Sequence, residues 1–156
     1  MRRIFLPMLI MLALSSGGRG PAQGQTNSTG LTGSWNVTAY GPDGSQIAIV
    51  LLTCHADGTV TAVLPGFGDS AGTGAWVSTG NGQFAMTTLH FDLNPPPSKD
   101  PLNGLLKLRY SVSVSGNTMS GSAEAVNLDL TGAVVQDTTG ITLTGTQIAV
   151  EQIGAQ

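Results

Sequence analysis

From Gly33 onward the chain consists of short apolar or alternating segments, separated by clusters of Gly, Asn, Asp and Pro. Those four residue types supply the backbone geometry of tight turns, and short segments with a two-residue alternation are typical of β-strands. No segment carries the 3.6-residue apolar period over ten or more residues that indicates a helix. Because short turns make consecutive strands antiparallel, the sequence predicts an all-β domain of about eight strands.

Turn residues divide the domain into successive strands. The predicted strand segments are 33–39, 46–54, 59–64, 74–79, 83–92, 105–114, 118–130, 133–136 and 141–150. The apolar run in 46–54 predicts a strand buried on both faces. Segment 93–104 contains four prolines, which cannot donate hydrogen bonds to a sheet, so this segment is predicted to lie outside it.

An antiparallel sheet of this size must pair or cover its edge strands. Closure into a single up-and-down β-barrel achieves this with one domain of chain. The succession of short turns favours the barrel, and a β-sandwich is the alternative. An eight-stranded barrel has an interior that side chains fill or that one small ligand occupies.

Residues 1–24 have the three parts of a secretory signal peptide: Arg2 and Arg3, an apolar run over 4–14, and small residues at 22–24. The run is too short for a membrane-spanning helix, which needs about 20 residues. The predicted organisation is therefore a cleaved signal at 1–24, a flexible mature N-terminus at 25–32, the barrel at 33–150 and a tail at 151–156. This predicts a secreted or periplasmic protein without stable membrane insertion.

Charge and motif content exclude several classes of function. The chain has six basic and nine acidic residues, for a net charge of −3, so nucleic acid is not a predicted partner. Its single cysteine, Cys54, allows no internal disulfide and is expected to be buried. The two histidines, His55 and His90, have no metal-ligand spacing. The Gly-Asp-Ser-Ala-Gly stretch at 68–72 is not followed by a predicted helix, which the strand-turn-helix of a nucleophile elbow requires, so no metal, cofactor or catalytic set is predicted. The sequence leaves the oligomeric state open.

A ligand-binding interior would be lined by large aromatic and sulfur-containing side chains, with few polar groups. Alternation along segment 83–92 places Phe84, Met86, Thr88 and His90 on one face. If that face is the lumen, His90 is a polar group inside an apolar cavity; if it is the outer face, His90 is solvated at the rim. The candidate lining residues are Trp35, Trp76, Phe84, Met86, His90 and Tyr110.

The first strand resembles the Gly-x-Trp opening of lipocalin-type (calycin) barrels, in which the tryptophan plugs one end. The chain more specifically resembles small secreted bacterial β-barrel proteins of uncharacterised function. The stretches that carry this resemblance are 33–35 with 52–59, 72–76, and 120–124 continuing to 131–132. The resemblance implies a lipocalin-like barrel. Lipocalins usually place an arginine on the last strand against the tryptophan, whereas Thr146 or Gln147 occupies that region here.

Three functional hypotheses follow. The first is a barrel that binds a small apolar or amphipathic ligand in its lumen without catalysis. The second is a cyclase or isomerase that uses His90 or Tyr110 as a proton donor. The third is a structural or surface-interaction protein with a filled barrel. A cavity above about 300 Å³ would favour the first two over the third.

Overall fold

The computed structural model describes residues 30–65, 71–93 and 102–149. The predicted signal peptide, the C-terminal tail and most of the proline-rich connection lie outside these ranges. None of the described residues forms a helix that is long and apolar enough to cross a membrane. The strands are β1 Gly33–Tyr40, β2 Gln46–Cys54, β3 Thr59–Val63, β4 Gly72–Gly80, β5 Gln83–Leu93, β6 Leu102–Ser115, β7 Thr118–Leu128 and β8 Val134–Gln147.

Each strand pairs antiparallel with the next, and β8 pairs with β1, so the eight strands form one closed up-and-down barrel. This confirms the predicted fold class, and the alternative of a sandwich is wrong. The sequence predicts 133–136 and 141–150 as separate strands, whereas the structure has one continuous strand there, β8, from Val134 to Gln147. Between the pairs Ala123 with Ile141 and Ala125 with Thr138, β8 carries one extra residue, which is a β-bulge.

The core lies inside the barrel, where alternate residues of every strand point. Trp35, Val37 and Leu52 are at most 1% exposed, while the outward residues between them contact solvent. The prediction that β2 is buried on both faces is wrong, because Ile49 and Leu51 are 42% and 43% exposed. A closed barrel is a single layer, so only its inner face is removed from water.

The two ends of the barrel differ. At the plugged end, where β1 begins and β8 finishes, the Trp35 indole donates a hydrogen bond to the carbonyl of Leu31 at 2.8 Å, and both residues are fully buried. Gln147 lies opposite Trp35 in the β1–β8 register and its amide donates to the carbonyl of Thr32. The opposite end, where the turns at 41–45 and 129–133 lie, is called the open end, because among the described residues an internal cavity extends to it.

Three turns share one hydrogen-bond pattern. In each, an aspartate accepts bonds from the hydroxyl group and backbone N–H of the residue two positions later; the pairs are Asp43 with Ser45, Asp57 with Thr59, and Asp129 with Thr131. The hydroxyl–carboxylate distance is 2.7 Å in all three. These bonds, the hydroxyl first, hold the pKa of each carboxyl below its ordinary value of 3.8.

These turns predict how stability depends on pH. A carboxyl with a lowered pKa in the fold stabilises it above the pKa of the unfolded chain, and this contribution disappears as pH falls through the lowered value. We expect the Tm to fall below about pH 4, and to fall less in the triple variant Asp43→Asn, Asp57→Asn, Asp129→Asn. Thermal unfolding from pH 7 to pH 2 measures this. Asp137→Asn, on β8, is the control, and identical acid profiles for the triple variant and wild type would contradict the prediction.

Candidate ligand-binding cavity

A cavity of about 310 Å³ occupies the half of the lumen next to the open end. Its walls are mainly aliphatic, from six strands and the residue after β3. The lining residues are Ala39, Ile47, Ala48, Val50, Leu64, Asp92, Leu106, Leu108, Tyr110, Ala123, Ala125, Asn127, Thr138, Ile141 and Leu143.

Polar side chains lie at two levels of this cavity. Asp92, Asn127 and Thr138 line it near the open end, and the Asp92 carboxylate accepts a hydrogen bond from the Asn103 amide at 2.8 Å. On β6 the lining residues are Leu106, Leu108 and Tyr110, so Tyr110 is the deepest of them. The cavity is therefore an apolar chamber with polar groups at its mouth and a phenol at its inner limit.

A chain of buried polar side chains connects Tyr110 to the neighbouring strand β5 and continues along β5 toward the open end. The Thr88 hydroxyl lies 3.1 Å from Nε2 of His90 and 3.4 Å from the hydroxyl of Tyr110. Thr88 and His90 are 0% and 1% exposed, and Tyr110 is buried as well. Burial raises the pKa of Tyr110 to about 12, although its bond with Thr88 acts in the opposite direction. The phenol therefore keeps its proton at neutral pH and can donate it in a hydrogen bond.

The position of His90 depends on a glycine on the neighbouring strand. Gly72, the first residue of β4, is buried, and a Cβ atom there would overlap the His90 imidazole. The imidazole thus packs directly on the backbone of β4. This contact fixes the ring beside Thr88 and fills the space that any larger residue at position 72 would need.

The six residues predicted to line a binding site are all buried in the lumen, but they occupy different levels. Tyr110 lines the cavity, and His90 is connected to it through Thr88. Of the two predicted positions for His90, the structure shows the lumen and not the outer face, because His90 is buried together with Phe84 and Met86 on the same face of β5. The remaining four, Trp35, Trp76, Phe84 and Met86, lie in the core outside the cavity lining.

Specific contacts in the core hold Trp76, Phe84 and Met86 in place. The rings of Trp76 and Phe84 meet edge to face, with their centroids 5.8 Å apart. The Trp76 indole donates to the carbonyl of His55 at 2.9 Å. The Cys54 thiol donates a hydrogen bond to the Met86 sulfur, with 3.9 Å between the two sulfur atoms. These contacts fill the half of the lumen next to the plugged end.

Four residues that line the cavity or link its polar groups are not among those predicted from the sequence: Thr88, Asp92, Ala123 and Ala125. Thr88 was detectable, because it lies between Met86 and His90 on one face of a regular strand. Small residues on β7 were visible as a pattern, but the sequence gives no indication of the level at which they leave space. Asp92 shares the parity of His90, two residues further toward the open end.

Other reactive groups in the described residues are engaged elsewhere. Cys54 is buried as predicted, and burial raises the pKa of its thiol to about 12, so it is a poor nucleophile. Glu124 forms an exposed ion pair with Arg109 at 2.8 Å on the outer face. Within the described ranges no group of three or more His, Cys, Asp or Glu side chains is arranged to hold a metal ion.

Fold and cavity together define a closed, eight-stranded up-and-down β-barrel with an apolar internal chamber. No protein-family model, curated protein or solved structure matches this chain.

Proposed function

We propose that this protein is a lipocalin-like barrel that binds a small apolar or amphipathic molecule in its lumen, without catalysis. The observation that carries the proposal is the chamber of about 310 Å³ lined mainly by aliphatic side chains. Ligand pockets range from about 300 to 1,000 Å³ and combine apolar walls with few polar groups. The volume is at the lower end of this range, which favours a compact ligand.

The predicted signal sequence adds the location to this proposal. A protein exported to the periplasm or the medium meets small apolar molecules that are poorly soluble in water, and a barrel can carry them. The Gly33-Ser34-Trp35 opening and the buried Trp35 at the plugged end support the lipocalin-like interpretation. Gln147, opposite Trp35, stands where lipocalins usually have an arginine.

Filling the cavity should abolish binding. Ala125 lines the chamber, so we expect Ala125→Phe to weaken binding of N-phenyl-1-naphthylamine, a neutral apolar fluorophore, at least tenfold. A tenfold loss of affinity corresponds to about 1.4 kcal/mol of binding free energy. The phenyl ring would occupy space that the ligand needs, so a loss of at least this size is expected. Fluorescence titration of the purified mature protein measures the change.

Ala75→Phe is the matched control, because Ala75 is exposed on the outer face of β4 and the same ring there leaves the chamber unchanged. The Tm of both variants shows whether the barrel remains folded. Equal affinity of a folded Ala125→Phe variant and wild type, or absence of binding to wild type, would contradict the proposed function.

A second candidate is an isomerase or cyclase, and one observation favours it: His90 and Tyr110 are linked through Thr88 beside the chamber. A buried, protonated phenol linked to an imidazole through a hydroxyl is a candidate proton donor to a bound substrate. Mass spectrometry of the compound retained by the native protein tests this candidate. Turnover of that compound, lost in His90→Ala, would establish the enzyme, and retention of an unchanged compound would favour the binding protein.

A further inference from the structure

We propose that the ligand carries a neutral hydrogen-bond acceptor, such as a ketone, ester or amide carbonyl, and binds with this oxygen on the Tyr110 hydroxyl. The inference rests on the proposed function and specifies which apolar molecules the chamber selects. Tyr110 is the deepest lining residue of β6, so the acceptor would lie at the inner end of the ligand.

The Tyr110 hydroxyl has hydrogen-bonding capacity left over. A phenol donates one hydrogen bond and accepts others, and within the described ranges the Tyr110 hydroxyl bonds to Thr88. That bond is 3.4 Å long, whereas O–H···O bonds usually measure about 2.5 to 3.0 Å. The Tyr110 hydroxyl is therefore only weakly hydrogen-bonded to Thr88, and its O–H is available to a better acceptor.

The rest of the polar chain can adjust to such a ligand. When the ligand accepts from Tyr110, Thr88 can donate to the Tyr110 oxygen and accept from Nε2–H of His90, whose ring lies at 3.1 Å. Each hydroxyl and N–H in the chain then has a partner. A chain oriented in this way polarises its members and strengthens the terminal bond to the ligand.

The acceptor must be neutral. A carboxylate placed at Tyr110 would lose its hydration among Leu108, Ala123 and Leu143, and no cation lines the cavity to compensate within the described residues. The Asp92 carboxylate at the mouth would also repel it. A carbonyl has the necessary lone pairs at a far smaller desolvation cost.

The chamber also limits the size of the ligand. Tyr110 lies four residue steps along β6 from Leu106, a distance of about 13 Å at ~3.3 Å per step. A compact two-ring or short-chain carbonyl compound fits this depth. Its other end would reach the mouth, where Asp92 and Asn127 accommodate a polar group.

The test uses two fluorophores that differ in one carbonyl group: 6-propionyl-2-(dimethylamino)naphthalene and its carbonyl-free analogue 6-propyl-2-(dimethylamino)naphthalene. Both are titrated against wild type, Tyr110→Phe and Tyr40→Phe. Tyr40→Phe is the matched control, because it removes the same hydroxyl from the other tyrosine, which lies outside the cavity lining on β1.

We expect Tyr110→Phe to weaken binding of the ketone about three- to tenfold, the usual worth of one hydrogen bond, and to leave the analogue's affinity unchanged. The emission of the bound ketone should shift to shorter wavelength in Tyr110→Phe, because hydrogen bonding to its carbonyl moves emission to longer wavelength. Loss of packing alone would not cause that spectral shift. Tyr40→Phe should behave as wild type in both measurements.

The outcomes separate this inference from the proposed function. If both probes bind, Ala125→Phe abolishes their binding, and Tyr110→Phe changes neither the ketone's affinity nor its emission, the acceptor inference is wrong and the binding function stands. An equal loss of affinity for both probes in Tyr110→Phe also overturns it, since that result indicates altered packing. If neither probe binds wild type, the proposed function fails and this inference with it.

Discussion

Replacing Gly121 with alanine should destabilise the barrel by about 3 kcal/mol or more, at the upper end of what overpacking substitutions cost. Gly121 faces the lumen from β7, and a Cβ atom there would overlap the carbonyl oxygen of Ser111 and lie 2.7 Å from Cα of Val112. Both atoms belong to the backbone of β6, so no rotamer change can relieve the overlap. The two strands would have to separate along their paired region.

The same geometry recurs at Gly74 on β4 and Gly104 on β6, each facing a carbonyl of the adjacent strand. Sheets curve sharply where glycine removes the side chain between neighbouring backbones. These glycines therefore allow the curvature that closes eight strands into one barrel. Loss of one of them affects the closure itself, in addition to local packing.

The measurement is thermal and urea unfolding of Gly121→Ala, with an expected fall in Tm of about 10 °C or more. Gly30→Ala is the control: its added Cβ would find its nearest neighbours at 3.7 to 3.9 Å, which is ordinary contact. A Tm for Gly121→Ala within the range of the control would contradict the role assigned to this close approach.

The turn residues made the fold predictable from sequence. The Asp57-Gly58 and Asn81-Gly82 pairs lie between strands that form hairpins in the structure, and the glycines have the positive φ that such turns require. Short connections of this kind pair the two strands that they join. Closure follows because the remaining edges, β1 and β8, are long enough to pair with each other.

The sequence did not predict correctly how many faces of β2 are buried, because this depends on whether a second layer of structure covers the strand. The apolar residues of β2 alternate in burial in the structure, although the sequence shows an unbroken apolar run from Ile47 to Leu52. Such a run occurs in strands covered on both faces, but also on a barrel whose outer face is only partly polar. A local pattern cannot show whether a second layer covers the strand.

The sequence predicted which side chains of the candidate site face the lumen, but not the level along the barrel at which they lie. Alternation correctly indicates that Phe84, Met86 and His90 share a face with Thr88. Whether a given inward residue meets empty space depends on which residues of other strands lie at its level. Trp76 and Phe84 contact each other in the half of the lumen next to the plugged end. Tyr110 instead pairs with the small residue Ala123 in the β6–β7 register, and both line the chamber. That information is contained in the register, and not in any one strand.

Replacing Trp35 with alanine should cost about 3 to 5 kcal/mol, as for other large aromatic residues removed from a core. Trp35 is fully buried at the plugged end, next to the equally buried Leu31, and its indole N–H bonds the Leu31 carbonyl. The substitution removes the ring and leaves that carbonyl without its donor. Since a domain of this kind is stable by only about 5 to 15 kcal/mol, the loss is a large part of the total.

Trp35→Phe separates the two contributions. It retains most of the ring but removes the N–H donor, so we expect a loss of about 1 kcal/mol from the unmade hydrogen bond, plus a smaller packing loss. Urea unfolding gives the free energy of unfolding of each variant. It is followed by circular dichroism and not by tryptophan fluorescence, because both variants retain only Trp76 and wild type has two tryptophans. If Trp35→Ala and Trp35→Phe lost equal stability, the indole hydrogen bond would dominate. If neither variant lost stability, the prediction that Trp35 stabilises the plugged end would be wrong. Residues 30–32 would then be held by other contacts, such as the hydrogen bond from the Gln147 amide to the Thr32 carbonyl, which a Gln147 variant would test.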